Sequence, residues 1–363
     1  MMMTSTLSRY LFRRYMVMVL QVLAAIVVVA YLVDFTEFAR RAGAWQEYTI
    51  ARGLYLSAMR MPMIVMLIWP FVALLAAMGV LLSLNRRYEL VVARSVGVSA
   101  WQFLAPLCLA SLLTGVVAIS VLNPLAAWTL GQVEEIETTF RGWAPDTSDE
   151  LRVPWFSQRT PAGVTIIGAS RAARRGLLLG DAVFLQIDND GNLVERHDAR
   201  TARLEDGRWK LEDVVRVTGD RQKEQMDHAE IPSDLRPEYI QEQLTTPQTI
   251  SIYELPTIIK VARALGLQPN RFAMHFHSLI ALPMLMVAMT LIAATVSLRF
   301  ARMGQSASVI LGGILAGFLL YVALVVFTAF GNVGFIPPVL AAWVPVVVAM
   351  FFGVTFLLHR EDG

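Results

Sequence analysis

The sequence predicts an α-helical membrane protein, six transmembrane helices in a three-plus-three layout, with an inserted all-β, jelly-roll-like domain. Of the 363 residues, 56% are hydrophobic and 17% are charged, whereas soluble domains average about 45–50% and 25%. The charges are also segregated: residues 125–270 hold 23 of the 29 acids and 17 of the 31 bases, a net charge of −6. A soluble enzyme and a disordered chain are therefore both excluded.

Six apolar stretches reach the roughly 20 residues that a bilayer-spanning helix needs. They lie at 15–33, 61–85, 95–133 and 272–298, with two more inside 303–358. The third stretch is predicted to end or bend at Asn123-Pro124, because proline cannot donate a helix hydrogen bond. The Gly- and Pro-rich segment 331–338 divides the last stretch. The predicted layout is membrane residues 1–124, an inserted domain at 125–270 and membrane residues 271–363.

The arginines predict the orientation of these spans. If the N-terminus is inside, the cytoplasmic segments hold nine arginines and the short outer loops hold four. Both termini are therefore predicted to be cytoplasmic, and the inserted domain lies outside, in the periplasm of a Gram-negative cell. The first span has no convincing cleavage site, so it is expected to remain as an anchor.

The inserted region shows the pattern of short antiparallel strands. Strands are predicted at 164–167, 182–185, 209–211 and 214–217, with tight turns at 188–191 and 205–207. This pattern favours a sandwich or jelly roll. The 188–191 turn is expected to be a hairpin rather than a calcium loop, because its glycine comes fourth and no closing glutamate follows. Since Cys108 is the single cysteine, no disulfide within the chain can support the domain.

The sequence contains none of the common catalytic motifs. It lacks a phosphate-binding loop, H-E-x-x-H, G-x-S-x-G and a G-x-G-x-x-G after a strand. His275 and His277 would point about 200° apart on a helix, so they are not expected to share a metal. We therefore predict no catalytic residue, no metal and no cofactor on this chain. The basic residues belong to the membrane frame and do not indicate nucleic-acid binding.

The connector at 85–99 between the second and third spans is the first candidate site. It combines a helical apolar pattern with Glu89 among Arg86, Arg87 and Arg94. It is either a rigid, membrane-parallel helix that receives force from a separate motor subunit, or an ordinary positive-inside loop.

The outer end of the first span is the second candidate site, and a glycine pair is the third. Asp34, Glu37, Arg40 and Arg41 could form salt bridges within one helix, which contribute little. Alternatively, Arg40 and Arg41 contact an anionic headgroup, because the planar guanidinium donates paired hydrogen bonds to phosphate. In the fifth span, Gly313 and Gly317 are predicted to allow close helix packing, within the chain or to a partner.

Three segments resemble a known family. The connector Arg87-Tyr88-Glu89-Leu90-Val91-Val92-Ala93-Arg94-Ser95-Val96-Gly97-Val98-Ser99 resembles that of the lipopolysaccharide export permeases, LptF and LptG. Residues 34–43 and 336–338 are more similar to the LptG branch than to LptF.

The resemblance implies an ABC transporter in the bacterial inner membrane. An LptF-like permease would pair with this chain, an LptB-like ATPase dimer would bind ATP and Mg²⁺, and an LptC-like protein would add one helix and a periplasmic domain. Lipopolysaccharide would enter between the first span of one permease and the fifth span of the other, and pass to a periplasmic bridge. The resemblance implies that Gly313 and Gly317 lie in this lateral gate.

The resemblance also implies residue roles. Glu89 would lie in a coupling helix near 85–97 that docks on the ATPase, together with Arg86, Arg87 and Arg94. Arg40 and Arg41 would meet the phosphorylated lipid near Asp34 and Glu37. Some relatives have a basic residue at the position of Asp34, so this acid is expected to pair with Arg40 or Arg41 instead.

Three other functions remain open from the sequence alone. A lipoprotein-releasing permease usually has four spans and a large domain after the first, which this layout does not match. A membrane enzyme that modifies lipids would need a nucleophile, an acid or a metal site, and none is evident. A passive scaffold for envelope assembly would need none of these sites.

Overall fold

Six helices in the computed structural model are long and apolar enough to cross a membrane. The structure describes residues 2–42, 49–140, 156–160, 163–173, 178–188, 193–205, 207–218, 223–233, 246–264, 269–297 and 306–361. The helices are α1 (Met2–Ala42), α2 (Ile50–Arg86), α3 (Glu89–Ser95), α4 (Ala100–Val117), α5 (Asn123–Phe140), α6 (Leu255–Ala264), α7 (Asn270–Ser297), α8 (Ser306–Val333) and α9 (Pro338–Glu361). Helices α4 and α5 form one continuous span. Three spans precede the strands along the chain and three follow them.

Helix α7 is the centre of the helical unit and packs against α2, α4, α8 and α9. Glycines make the closest approaches possible. A Cβ atom on Gly115 of α4 would lie 2.6 Å from the Cα of Pro283 in α7, and one on Gly353 of α9 would lie 2.9 Å from the Cβ of Leu291. Because these positions have no room for a side chain, glycine lets the backbones of α4 and α9 approach α7 closely. Small residues play the same role at helix contacts in other membrane proteins.

The sequence predicts that the third span either ends or bends at Asn123-Pro124. The span does not end there. Instead, a π-helical turn at Ala118–Leu122 joins α4 to α5. Pro124 has no N–H to donate to the carbonyl of Ser120, and the hydroxyl of Tyr253 donates to that carbonyl at 3.1 Å. The side-chain oxygen of Asn123 accepts a hydrogen bond from the backbone N–H of Ile252 at 2.9 Å. The irregular turn is thus where the segment before α6 attaches to the bundle.

The described strands form one antiparallel sheet in which each strand pairs with its neighbours along the chain. The strands are β1 (Phe156–Thr160), β2 (Gly163–Ala173), β3 (Leu178–Ile187), β4 (Leu193–Glu205), β5 (Arg208–Thr218) and β6 (Lys223–Pro232). The predicted strands at 164–167 and 182–185 are confirmed within β2 and β3. Those at 209–211 and 214–217 are the two halves of β5, separated by Asp213 with a φ of 53°. Jelly-roll connectivity stays a prediction.

Of the two turns that the sequence predicts between strands, one lies largely within the described residues. Gly207 has a φ of 72°, which glycine adopts without strain, and it lies in the predicted 205–207 turn. The predicted turn at 188–191 lies, apart from Asp188, outside the described residues.

One face of the sheet is apolar and buried. Trp209 and Phe184 are fully buried and their rings meet edge to face, with centroids 5.7 Å apart. His197 extends this face; its Nε2 lies 3.6 Å from Glu195, yet burial lowers the imidazole pKa. The strands belong to a compact unit at 134–246, inside the predicted 125–270 region, and the helices form a second unit.

Candidate functional site

Two spans leave most of their apolar surface uncovered by the rest of this chain. Only 6% of the most apolar stretch of α1 and 11% of that of α8 are buried, against 61% for α2 and 67% for α7. In α1 the exposed side chains include Leu20, Val28, Val29, Leu32 and Val33. A surface of this size needs lipid or another apolar chain against it.

The connector contains a short helix held between two bends. Tyr88 (φ 57°) precedes α3 and Gly97 (φ 86°) follows it. Ser99 then caps the start of α4 and exchanges hydrogen bonds with Gln102, which gives that helix a defined first turn. The connector is therefore a helix joined to its neighbours by sharp turns.

Glu89 is the centre of a hydrogen-bond network that joins three helices. Arg14 of α1 donates from Nη1 to the Glu89 carboxylate at 3.1 Å and from Nη2 to the Ser83 hydroxyl of α2 at 2.6 Å. Tyr10 of α1 donates its hydroxyl hydrogen to the same carboxylate at 3.1 Å. Glu89 also occupies the first turn of α3, where the helix dipole favours a negative charge. The carboxylate therefore fastens α1 to the connector helix, and Arg14 extends this link to α2.

The rest of the connector presents an apolar and basic surface. Tyr88, Val91, Val92 and Val96 are exposed, whereas Leu90 is buried in the bundle. The side chains of Arg86 and Arg87 are exposed next to this surface. The side chain of Arg94 lies outside the described residues. Exposed apolar side chains beside cations are typical of a surface that another protein covers.

At the other end of α1, the predicted salt bridges within the helix are present. Arg40 donates to the Glu37 carboxylate, with Nη2 at 2.7 Å and Nε at 3.1 Å, and Arg41 lies 3.7 Å from the same carboxylate. All three side chains are exposed. The two arginines are thus arranged side by side around one acid, with access to solvent or to a ligand.

Asp34 pairs with a residue that the sequence did not suggest. Its carboxylate lies 3.8 Å from Arg60 of α2, and both side chains are largely buried. The Arg60 guanidinium also stacks 4.5 Å above the ring centre of Phe38, which is buried. The expectation that Asp34 pairs with Arg40 or Arg41 is therefore wrong: those two share Glu37, one helical turn closer. The available signal was a basic residue, Arg60, directly before the predicted apolar stretch 61–85.

The glycine pair of α8 lies against α2. A Cβ atom on Gly313 would lie 2.5 Å from the sulfur of Met78, and one on Gly317 would lie 2.5 Å from Leu74 Cδ2. These glycines therefore pack two helices of this chain closely together. A larger residue at either position would require the side chain of Met78 or Leu74 to move.

The described residues contain no group of three His, Cys, Asp or Glu side chains that could hold a metal ion. His275 is half-buried in α7, and the ring of His277 packs edge to face on Phe276 with centroids 5.4 Å apart. Within the part of the chain that the structure describes, neither histidine belongs to such a group. The chemistry available at both ends of α1 is ionic and hydrogen bonding.

Comparison with known proteins gives a consistent result. The sequence profile of a family described as "Lipopolysaccharide export system permease LptF/LptG" matches residues 9–359. The chain is 24% identical over 373 residues to the lipopolysaccharide export system permease protein LptG of Escherichia coli, covering 98% of each protein. It is 23% identical over 369 residues to the LptG protein of Haemophilus influenzae, covering 99% of each.

Proposed function

Because the chain belongs to the LptF/LptG family of lipopolysaccharide export permeases, we propose that it is the LptG-type subunit of an ABC transporter. The transporter extracts lipopolysaccharide from the outer leaflet of the inner membrane and passes it to a periplasmic bridge. The family makes this chain a transport subunit rather than an enzyme. A family match across almost the whole chain and six spans do not favour a lipoprotein-releasing permease.

The uncovered apolar surfaces of α1 and α8 are the observation that carries the proposal. These are the first and fifth spans, and in the single chain only 6% and 11% of their most apolar stretches are buried. An LptF-like permease facing them would complete a cavity with two lateral openings, each between the first span of one subunit and the fifth span of the other. A wide apolar cavity of this kind suits a lipid with several acyl chains, which a narrow aqueous pore would not admit.

Helix α3 is the proposed docking site for the motor. An LptB-like ATPase dimer, which holds the ATP and Mg²⁺, covers the exposed apolar and basic surface of the connector. Glu89 then couples the motor to transport through its network, since any displacement of α3 acts on Arg14 and hence on α1. Because α1 borders the proposed lateral opening, this link joins the motor to the lipid gate.

The outer end of α1 is the proposed contact for the cargo headgroup. Arg40 and Arg41 are exposed and adjacent, and arginine binds phosphate oxygens in pairs. Glu37 holds them while no lipid is bound, and Asp34 is committed to Arg60. An LptC-like protein supplies one further helix and a periplasmic domain beside the complex.

The proposed topology has both termini in the cytoplasm and the strand domain in the periplasm. To test it, Cys108 is replaced by serine and single cysteines are placed at Ser157, Ser306 or Gly363. An impermeant thiol reagent added to cells with a permeabilised outer membrane should label only the cysteine at 157. Labelling at 306 would contradict the order of the spans.

The function is tested by reconstituting the chain with its proposed partners in proteoliposomes. ATP should drive lipopolysaccharide from the complex to a soluble periplasmic acceptor, and omission of this chain should abolish transfer. The chain alone should not hydrolyse ATP. Hydrolysis by the purified chain, or full transfer without it, would contradict the proposal.

A further inference from the structure

Helix α6 is a short amphipathic helix that the proposed transport route does not use. Its apolar side, formed by Leu255, Ile259 and Ala262, is buried, and the helix packs against α7. Its other side is open and carries Lys260, Val261, Arg263 and Ala264. The helix is therefore fixed to the bundle by one face and offers the other to its surroundings.

The anchoring contacts place α6 at a membrane boundary. The segment before it is attached to Ser120 and Asn123 through Tyr253 and Ile252. From Ala100 at the start of α4 to Ser120 the helix rises about 30 Å, at about 1.5 Å per residue, which matches the hydrocarbon thickness of a bilayer. Ser120 therefore lies at the face of the membrane opposite to α3. Helix α7 begins at Asn270, shortly after α6 ends, and enters the bundle from that same face.

Exposed aromatic side chains support this depth. Tyr253, directly before α6, is 66% exposed, and Trp128, just beyond the π-helical turn, is 62% exposed. Tyrosine and tryptophan are enriched where hydrocarbon meets headgroups, because one end of each ring is apolar and the other is polar. Tyr253 contacts Ser120 directly and marks its layer, whereas Trp128 lies five positions beyond Asn123, on the outer side of that layer.

The open side of α6 is positively charged. Lys260 and Arg263 are three positions apart, so they lie on adjacent turns of one flank. No salt bridge joins either to a carboxylate in the part of the chain that the structure describes. The acid nearest in sequence, Glu254, is six positions before Lys260, which is too far for pairing along a helix. The two cations are thus available at the level of the headgroups.

We propose that α6 is an interfacial helix whose Lys260 and Arg263 bind the phosphate of anionic lipid headgroups in the outer leaflet. The assignment to the outer leaflet rests on the proposed function and its topology. The flexible stems of both side chains lie along apolar surface while their charged ends reach phosphate oxygens. This site is separate from Arg40 and Arg41 on α1, and it gives the bundle a fixed depth against which other helices can move.

Photo-crosslinking tests the site directly. Benzoylphenylalanine replaces Ala264, which is exposed and one turn beyond Lys260, and the chain is placed in nanodiscs with clickable phosphatidylglycerol or phosphatidylcholine. The wild-type pair should favour phosphatidylglycerol. Removing a cation beside an anionic surface lowers binding about fivefold, so Lys260→Gln with Arg263→Gln should abolish the preference. Lys260→Arg with Arg263→Lys should retain it.

Matched controls separate this site from general charge effects. The same photoprobe at Val29, in the exposed middle of α1, should show no headgroup preference, and the glutamine pair should not change it. Removing two exposed cations from the strand domain, Arg200→Gln with Arg208→Gln, should leave the preference at 264 intact.

Three results would overturn the inference: no lipid crosslink at 264, an unchanged preference in the glutamine pair, or loss of the preference on adding inorganic phosphate. The last result would indicate a site for free phosphate. The transfer assay with partners is scored separately. A complex that exports lipid without a crosslink at 264 contradicts only the inference, and a chain that crosslinks but does not export contradicts only the proposed function.

Discussion

The two ends of α1 carry arginine–carboxylate pairs that are built in different ways. Near the N-terminus, Arg14 and Glu89 are 75 positions apart in the chain and join separate helices, and Arg14 is 17% exposed. Near the other end, Arg40 and Glu37 are three positions apart on one helix, and Arg40 is 74% exposed. The first pair shares its hydrogen bonds with Tyr10 and Ser83, whereas the second shares its carboxylate with Arg41 of the same helix.

The two ends of α1 therefore differ in how easily their arginines can exchange one partner for another. An exposed pair within one helix contributes little to stability, so its arginines can exchange their partner at small cost. A pair that joins elements and lies partly out of water cannot lose one member without leaving a charge poorly solvated. The end near Arg14 is therefore a joint, and the end near Arg40 is a surface that can bind and release an anion.

The largest effect is expected from reversing the charge at the joint. Glu89→Lys places a cation beside Arg14, so α3 should separate from α1, and transport should fall to background in the reconstituted complex. Glu89→Ala should be milder: it removes hydrogen bonds to a charged group, each about 1.5–3 kcal/mol before allowing for partial exposure. The measurements are ATPase rate and lipid release on the same vesicles. Normal assembly and wild-type export by Glu89→Lys would show that the residue has no coupling role.

A charge swap distinguishes whether Glu89 acts through Arg14 of α1 or through a direct contact with the ATPase. Arg14→Glu combined with Glu89→Arg restores the pair with its polarity reversed. If the link to α1 carries the coupling, the swap should recover much of the transport lost in Glu89→Lys. If the carboxylate acts by facing the ATPase directly, the swap should be as defective as the single substitution.

The next effect in size is expected at the buried pair of the outer end. Arg60→Gln leaves the Asp34 carboxylate largely buried without its cation, a change that costs about 3–5 kcal/mol in a fully buried pair and less here. The purified variant should melt several degrees below the wild type. Asp34→Asn combined with Arg60→Gln should recover part of the loss, because no unpaired charge remains. Equal melting of all variants would show that this pair does not hold α1 to α2.

Substitution of the exposed arginines is expected to change lipid binding clearly and the structure very little. Arg40→Glu with Arg41→Glu reverses the charge at the proposed headgroup contact, so crosslinking to lipopolysaccharide should weaken. Assembly with the partners should be normal, because neither side chain is buried. Unchanged crosslinking would favour the alternative in which these residues only form salt bridges within the helix.

The features that the sequence predicted correctly are those that depend on a local pattern of residues. Continuous apolar stretches located all six long helices, and alternation located β2 and β3, because hydropathy and side-chain direction repeat over short distances. The salt bridge between Glu37 and Arg40 was also predictable, since residues three apart are neighbours on a helix. The confirmed predictions all involve residues close together in the chain.

The missed contacts depend on packing between distant segments. In the sequence, Arg14 and Arg60 are two of the thirteen arginines that predict the orientation of the spans, and no local pattern links them to Glu89 and Asp34. No spacing rule links positions 14 and 89, because their contact depends on how α1 packs against α2 and α3. The π-helical turn was missed for a similar reason: Tyr253 supplies the hydrogen bond that lets the helix continue past Pro124.

The smallest effect on stability is expected from Glu37→Gln, and it is the most specific test of the difference between the two ends. The substitution removes the charge that holds Arg40 and Arg41 but keeps the side chain's size and its ability to accept a hydrogen bond. Because the pair is exposed and lies within one helix, the melting temperature should not change measurably. Lipopolysaccharide crosslinking near Arg40 should nevertheless rise, since the lipid phosphate no longer competes with a carboxylate for the two guanidinium groups. The matched substitution at the joint, Glu89→Gln, should do the opposite, lowering transport without strengthening lipid binding. If Glu37→Gln instead weakens crosslinking, the carboxylate orients the arginines for the lipid, and the outer end is also a fixed structure rather than an exchangeable surface.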